Sequence, residues 1–176
     1  MRRRDDPLTD APRLIRRVHG YVAFRIGPGP DAEDVTSEVF ERALRYRDSF
    51  DAAKGTPTAW LLGIAQHAVD DLFRRRSMQA VTAADDVDAA GRDDSDPLSR
   101  VVVQRALTQL GARDRDLLAL RYGVGLSTKE VAKVLNLNPG AVDVAVHRAR
   151  ERLSSALAGQ EATPPPAAAE ASAGGA

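Results

Sequence analysis

The stretch from Ser127 to Leu153, STKEVAKVLNLNPGAVDVAVHRARERL, constrains the fold more than any other part of the chain. Ser127 stands three residues before Glu130, the spacing of a capping box, so a short helix starts there. Val131, Val134 and Leu135 give that helix an apolar face. Asn136 and Leu137 break it, and Asn138-Pro139 restarts the chain. Asn is a good N-cap, and Pro is pre-set for the first helical position, where its missing N–H costs nothing. In the next helix Val142, Val146, Ala149 and Leu153 share one face at helical spacing. Two capped helices joined by a tight turn form a helix-turn-helix, whose second helix suits a DNA major groove. The same pattern also fits an ordinary helical hairpin in a bundle. Arg148, Arg150 and Arg152 favour the first reading, because they suit phosphates beside a groove.

The remainder of the chain sets the context. Its 176 residues include no cysteine, which excludes a disulfide framework and a Cys-based zinc site. No apolar run approaches the roughly 18 residues that a membrane span needs. Arg2, Arg3 and Arg4 are followed by Asp5 and Asp6 and by no apolar segment, so no signal peptide is expected and the protein reads as cytoplasmic. Formal charge is zero, with 25 basic and 25 acidic residues, yet the charge is unevenly placed. Residues 78–97 hold Arg92 against six aspartates, whereas residues 98–158 hold 10 basic and 5 acidic groups. A basic C-terminal block behind an acidic tether permits nucleic-acid binding despite the neutral total.

The expected class is all-α, two small helical domains joined by a flexible acidic linker. Residues 11–77 form the first domain. Leu14, Ile15, Val18, Val22 and Phe24 give a helix over Pro12–Phe24, which Gly27-Pro28-Gly29-Pro30 must end. A second helix follows over Asp31–Arg47, with Val35, Val39, Phe40, Ala43 and Leu44 as its buried stripe. Its acidic first turn suits the positive end of the helix dipole. Thr56-Pro57 caps a third helix carrying Trp60, Leu61, Ile64, Ala65, Ala68, Val69 and Leu72, basic at Arg74, Arg75 and Arg76. Residues 78–97 read as the linker and 98–158 as the second domain, opened by Asp96-Pro97. Val101, Val102, Leu107 and Leu110 line its first helix; Leu117, Leu118, Leu120 and Tyr122 line its second. Residues 1–10 are expected to fray, and the Pro- and Ala-rich residues 159–176 to be disordered. Units of about 60 residues are small for independent stability, so both are expected to gain order from a large partner.

With these residues in view, ST-KEVA-KVL-NLNPGAV followed by RAR-ERL resembles region four of bacterial sigma factors, specifically the extracytoplasmic-function (ECF) group. DAEDVTSEVFERAL (31–44) and the segment 50–76, with PTAWLLGIAQHAVDDLFRRR, are similar to that group's region two. Together the resemblances cover residues 11–157. They imply a sigma factor that binds core RNA polymerase, through the β′ clamp helices and the β subunit, and promoter DNA. An anti-sigma factor is a further partner that the group suggests. No cofactor, metal or catalytic residue is implied; the polymerase does the chemistry.

The resemblance assigns residues to three faces. Asp31, Glu33, Asp34, Glu38, Glu41 and Arg42 would meet the polymerase, although a solvated helix face explains the same pattern. Asp51, Lys54, Thr56, Trp60, His67, Arg74, Arg75 and Arg76 would handle the opened minus-ten element. There a pocket holds a flipped base, and cations and aromatics track the strand. Trp60 also suits the apolar stripe of its helix, the commoner place for an aromatic. His67 lacks a second ligand at metal spacing, and Asp70-Asp71 suits salt bridging along a helix face. Ser127, Thr128, Asn138, Gly140, Asp143, Val144, His147, Arg148 and Arg150 would face the minus-thirty-five element. Members of the group commonly carry basic or hydroxyl groups near positions 143–145, where this chain has Asp143, Val144 and Ala145. An Asp repels phosphate but accepts from a cytosine amino group, and Val packs on a thymine methyl. Two other readings fit the bare pattern: a dimeric helix-turn-helix regulator on palindromic half-sites, and a polymerase-binding module with weak promoter reading.

Overall fold

A computed structural model of the chain describes residues 6–80 and 97–161. The described residues are helical, in the order α1 (Ala11–Ile26), α2 (Pro30–Arg45), a single 3-10 turn (Arg47–Ser49), α3 (Pro57–Ala80), α4 (Pro97–Gln109), α5 (Ala112–Leu118), α6 (Thr128–Leu135) and α7 (Pro139–Glu161). The last turn of α5 widens into a π turn over Ala119–Gly123, with Val124 N–H donating to the Ala119 carbonyl at 2.9 Å. Proline occupies the first or second position of α1 and α2, where no intrahelical N–H is missed. Gly27, at φ 92°, ends α1 in a conformation that side-chain-bearing residues avoid.

In the first unit α1, α2 and α3 pack pairwise, and in the second α4, α5 and α6 each pack on α7. Leu14, Val18, Val22, Val35, Val39, Ala43, Leu61, Ala65, Ala68 and Val69 are buried as their spacing requires. Three residues assigned to apolar stripes are instead exposed: Ile15, Leu44 and Tyr122. Ile15 and Leu44 lie at the edge of their stripes, about 100° around the helix from buried Leu14 and Ala43, where the packed partner no longer reaches, and Tyr122 lies in the π turn that ends α5. α3 runs on to Ala80 and α7 to Glu161, past the expected domain ends at 77 and 158. The rest of the expected linker and tail lies outside the described residues. Residues 6–10 do not fray: Pro7 is buried and Leu8 packs on the core.

The larger difference concerns the two units themselves. Besides being joined by the expected linker, they pack against each other, α1 on the π turn and α3 on α6. One apolar cluster runs through both, bringing Leu117, Leu120, Leu126 and Val131 to the core of the first unit. Part of the order each small unit was expected to draw from a partner comes from its neighbour. At the joint, a Cβ on Gly123 would lie 2.7 Å from the Gly20 carbonyl oxygen and 3.0 Å from Phe24 Cβ, so only glycine fits.

A polar network crosses the same joint. Asp116 of α5 is 7% exposed and accepts from the Tyr21 hydroxyl at 2.5 Å and from Gln66 Nε2 at 2.9 Å. Arg25 of α1, 4% exposed, ion-pairs with Asp116, donates to the Tyr21 hydroxyl at 3.0 Å and reaches Asp70 at 3.4 Å. Arg25 and Arg115 both lie over the Phe73 ring, at 5.9 and 5.3 Å from its centroid, and the Nε of each is buried without a hydrogen-bond partner.

Candidate nucleic-acid interface

The helix-turn-helix is built as its sequence requires. Ser127 Oγ accepts from the Glu130 N–H at 3.3 Å, and the Glu130 carboxylate accepts from the Ser127 N–H at 2.8 Å, closing the capping box. The backbone and hydroxyl of Ser127 hold the Glu130 carboxyl below the usual carboxylate range, and Arg17 and Arg13 of α1 add to this. Asn136 ends α6 in the left-handed region at φ 52°, which Asn tolerates better than most residues. Asn138 Oδ1 then accepts from the Gly140 N–H at 2.9 Å and caps α7. Val131, Ala132 and Val142 are buried in the main core, and Ala149 is buried on the side of α7 that meets Leu107, Leu110 and Leu118.

Gly140, Asp143, Val144, His147, Arg148 and Arg150 are exposed together on the outer side of α7. Asp143 has a partner that sequence alone did not reveal: its Oδ1 accepts from the Thr128 hydroxyl at 2.7 Å, tying α7 to the first turn of α6. Ser127, Asn138 and Thr128 therefore shape the motif through caps and this tie. Arg152, one of the three arginines read for phosphate, is exposed and already paired with Asp114 at 2.6 Å. His147 Nδ1 lies 3.6 Å from Glu151.

The other two faces are linked by charge. Glu33, Asp34 and Glu41 are exposed on α2, while Glu38 and Arg42 are half-buried beside α3. Arg42 pairs with Glu38 and with Asp71 at 3.3 Å. Burial opposes its charge, and the two carboxylates more than offset this, raising its pKa. Arg75 lies 3.6 Å from Glu38, Arg74 lies 3.3 Å from Asp71, and Arg76 pairs with Asp31. Residues assigned to polymerase and residues assigned to DNA thus form one lattice of ion pairs across α2 and α3.

The loop before α3 is self-organised. Asp51 accepts from the Ala53 N–H at 3.0 Å and pairs with Lys54 at 3.5 Å. Thr56 accepts from the Ala59 N–H at 3.2 Å, so its hydroxyl caps α3. Trp60 is half-buried, its ring tilted 58° to that of Phe50 with centroids 5.5 Å apart. It is neither a fully buried core residue nor a free stacking platform. His67 is exposed on α3. A groove of about 670 Å³ separates this loop from α6, with Lys54, Thr56 and Thr58 on one wall and Glu130, Lys133 and Asn136 on the other. Among the described residues no group of three or more His, Asp or Glu gathers as a metal site, and no helix is long and apolar enough to cross a membrane.

Sequence reasoning missed Tyr21, Arg25, Gln66 and Asp116. A signal existed: Tyr21 and Arg25 sit four residues apart on the stripe formed by Leu14, Val18 and Val22. A tyrosine and an arginine on a core face need buried polar partners.

Fold and faces together define an all-α protein with a helix-turn-helix and a second helical unit bearing a charged face. Comparison with known proteins makes this specific. The description "Sigma-70 region 2" matches residues 12–78 and "Sigma-70, region 4" matches residues 100–153. The chain is 34% identical over 147 residues to the ECF RNA polymerase sigma factor BldN of Streptomyces coelicolor, covering 80% of this chain and 56% of BldN. It is 32% identical over 146 residues to the RNA polymerase sigma factor CarQ of Myxococcus xanthus, covering 80% of this chain and 83% of CarQ. The structure of CnrH in complex with the cytosolic domain of CnrY superposes with a TM-score of 0.56 at 28% identity, covering 85% of this chain and 83% of CnrH; CnrH is a sigma factor of Cupriavidus metallidurans. The chain belongs to the ECF group of RNA polymerase sigma factors.

Proposed function

We propose that the chain binds core RNA polymerase in the cytoplasm and directs it to promoters, without catalytic chemistry of its own. The observation that carries this reading is the outward face of α7, fixed by the capping box, the Asn138 cap and the Thr128–Asp143 tie. Such a helix reads base edges in a major groove, with Arg148 and Arg150 beside phosphates. The α2 face, with Glu33, Asp34 and Glu41 foremost, docks on the β′ clamp helices. The loop at 49–56 and the start of α3 hold the opened minus-ten strand. Residues 11–77 and 98–158 are the two working units, and the tether between them sets their reach. The CnrH structure contains the cytosolic domain of CnrY as a partner chain, and an anti-sigma factor is proposed as a further partner of this protein.

Reconstitution with core polymerase on a randomised promoter library tests the proposal. Initiation from a restricted set of sequences, with a one-to-one complex, is the expected result. A dimer that binds palindromic half-sites and leaves core polymerase alone would overturn it.

A further inference from the structure

The outer face of α7 carries an inference that rests on the proposed promoter reading and names a base that it takes. Gly140, Ala141 and Val144 are all exposed there. At 3.6 residues per turn they fall within an arc of about 100°, with Val144 between the other two. Buried Val142 lies about 160° around the helix from Val144, on the side that meets the core. Val144 is 51% exposed and joins neither apolar cluster, whereas Val142, Ala145, Val146, Ala149 and Leu153 of the same helix each pack on one. A β-branched residue suits a solvated helix surface poorly, because it gives up χ1 freedom without packing in return. Gly140 is as little used by the fold. A Cβ there would meet only Asn138 Oδ1, at 3.4 Å, an ordinary contact, so alanine would fit and would favour the helix. A bare stretch of backbone thus lies beside a projecting apolar side chain, near the end of α7 that meets base edges.

We propose that this patch takes the C5-methyl group of a thymine, Val144 packing on the methyl and Gly140 letting the base edge come close to the helix backbone. The thymine methyl is the alkyl group that base edges present in the major groove; the other groups there are hydrogen-bond donors and acceptors. Asp143, the residue before Val144, does not compete for the contact. The Thr128 hydroxyl holds it to the first turn of α6 at 2.7 Å, where the positive end of the helix dipole suits a carboxylate. Arg148, one turn beyond Val144, and Arg150 are exposed on the same helix. Their charge fits a patch that meets a polyanion, and so favours a duplex over an apolar protein surface as its occupant. Burying one methyl group favours thymine about fourfold over the same base without it.

The complex of the chain with core polymerase, on a promoter recovered from the randomised library, provides the test. Each thymine of the upstream element is replaced in turn by deoxyuridine, which lacks the methyl and keeps the pairing groups. At one position the wild-type complex is expected to lose about fourfold in affinity. Val144→Ala is expected to bind the thymine and deoxyuridine duplexes equally at that position. Its melting temperature should hold, because the side chain packs on neither cluster. Gly140→Ala is expected to hold or raise the melting temperature and to weaken promoter binding. A recovered element without thymine, or an affinity that deoxyuridine leaves unchanged at every position, overturns the thymine assignment alone. So does an undiminished deoxyuridine penalty in Val144→Ala, which places the methyl against another residue. Failure of the wild-type complex to select any sequence overturns the promoter reading and the thymine assignment with it. Should Val144→Ala fail to fold, Gly140→Ala decides, and full promoter affinity in that variant overturns the patch.

Discussion

Replacing Tyr21 by Phe removes one oxygen from the joint and leaves the ring, which is 1% exposed, in place. That oxygen donates to Asp116 and accepts from Arg25. A hydrogen bond to a charged group contributes about 1.5–3 kcal/mol, so Tyr21→Phe costs about 2 kcal/mol near pH 8. The pH dependence is the sharper signature. Burial pushes the phenol up to about 12 from its ordinary 10.0, with the Arg25 charge opposing and Asp70 assisting. A folded-state pKa above the unfolded value means stability that is complete below pH 10 and lost as pH rises through 12. Two units at about 1.4 kcal/mol each give roughly 2.7 kcal/mol lost by the wild type over that window. The variant has no phenol at position 21 and loses none of this. Urea melts followed by circular dichroism should therefore show the two stabilities separated at pH 8 and converging above pH 11. All other titrating groups are common to both proteins and cancel in the difference. Parallel curves from pH 8 to 12 would refute both the buried hydroxyl and the network built on it.

Five further outcomes concern the helix-turn-helix and the outer face of α2. Ser127→Ala should cost about 1 kcal/mol in a thermal melt. Glu130→Gln should flatten the acid limb, because a depressed carboxyl stabilises above its ordinary range and the benefit is lost as pH falls through its folded value. Asp143→Asn keeps an acceptor for Thr128, so melting should hold within about 0.5 kcal/mol while binding to randomised upstream elements strengthens broadly; loss at one base pair instead would mark a cytosine contact. Arg148→Ala should weaken binding to most sequences and reduce the salt slope by about one. Glu41→Lys, on an exposed part of α2, should weaken assembly with core polymerase in a titration without lowering the melting temperature; unchanged affinity would move the docking face elsewhere.

Local order was legible wherever a residue acts on its own neighbours. Ser127 and Glu130, Asn138 and Pro139, Thr56 and the Gly27–Pro30 breaker each act within four residues, and each does what its type requires. The buried stripes followed for the same reason, except at the edges occupied by Ile15, Leu44 and Tyr122. Contacts across long separations left a weaker trace. Nothing near Asp116 announces that it meets Tyr21, 95 residues away, or Gln66, 50 residues away. The Thr128–Asp143 tie likewise depends on the angle between two helices, which spacing does not give. The resemblance assigned Arg75 and Glu38 to different partners and could not show that they pair with each other.

That last pairing changes how a binding isotherm would be interpreted. Where a cation neutralises a phosphate, counterions leave the duplex and affinity falls with added salt. Arg75 and Arg76 begin with carboxylates of their own, Glu38 and Asp31. Moving either arginine onto DNA frees a carboxylate, which gathers cations from solution as the duplex releases them. The two ion movements oppose, and such an arginine adds little to the measured slope. A shallow salt dependence for this first unit would then accompany a wide footprint on the strand. Once polymerase takes up Glu38 and Asp31, the same arginines would register in full.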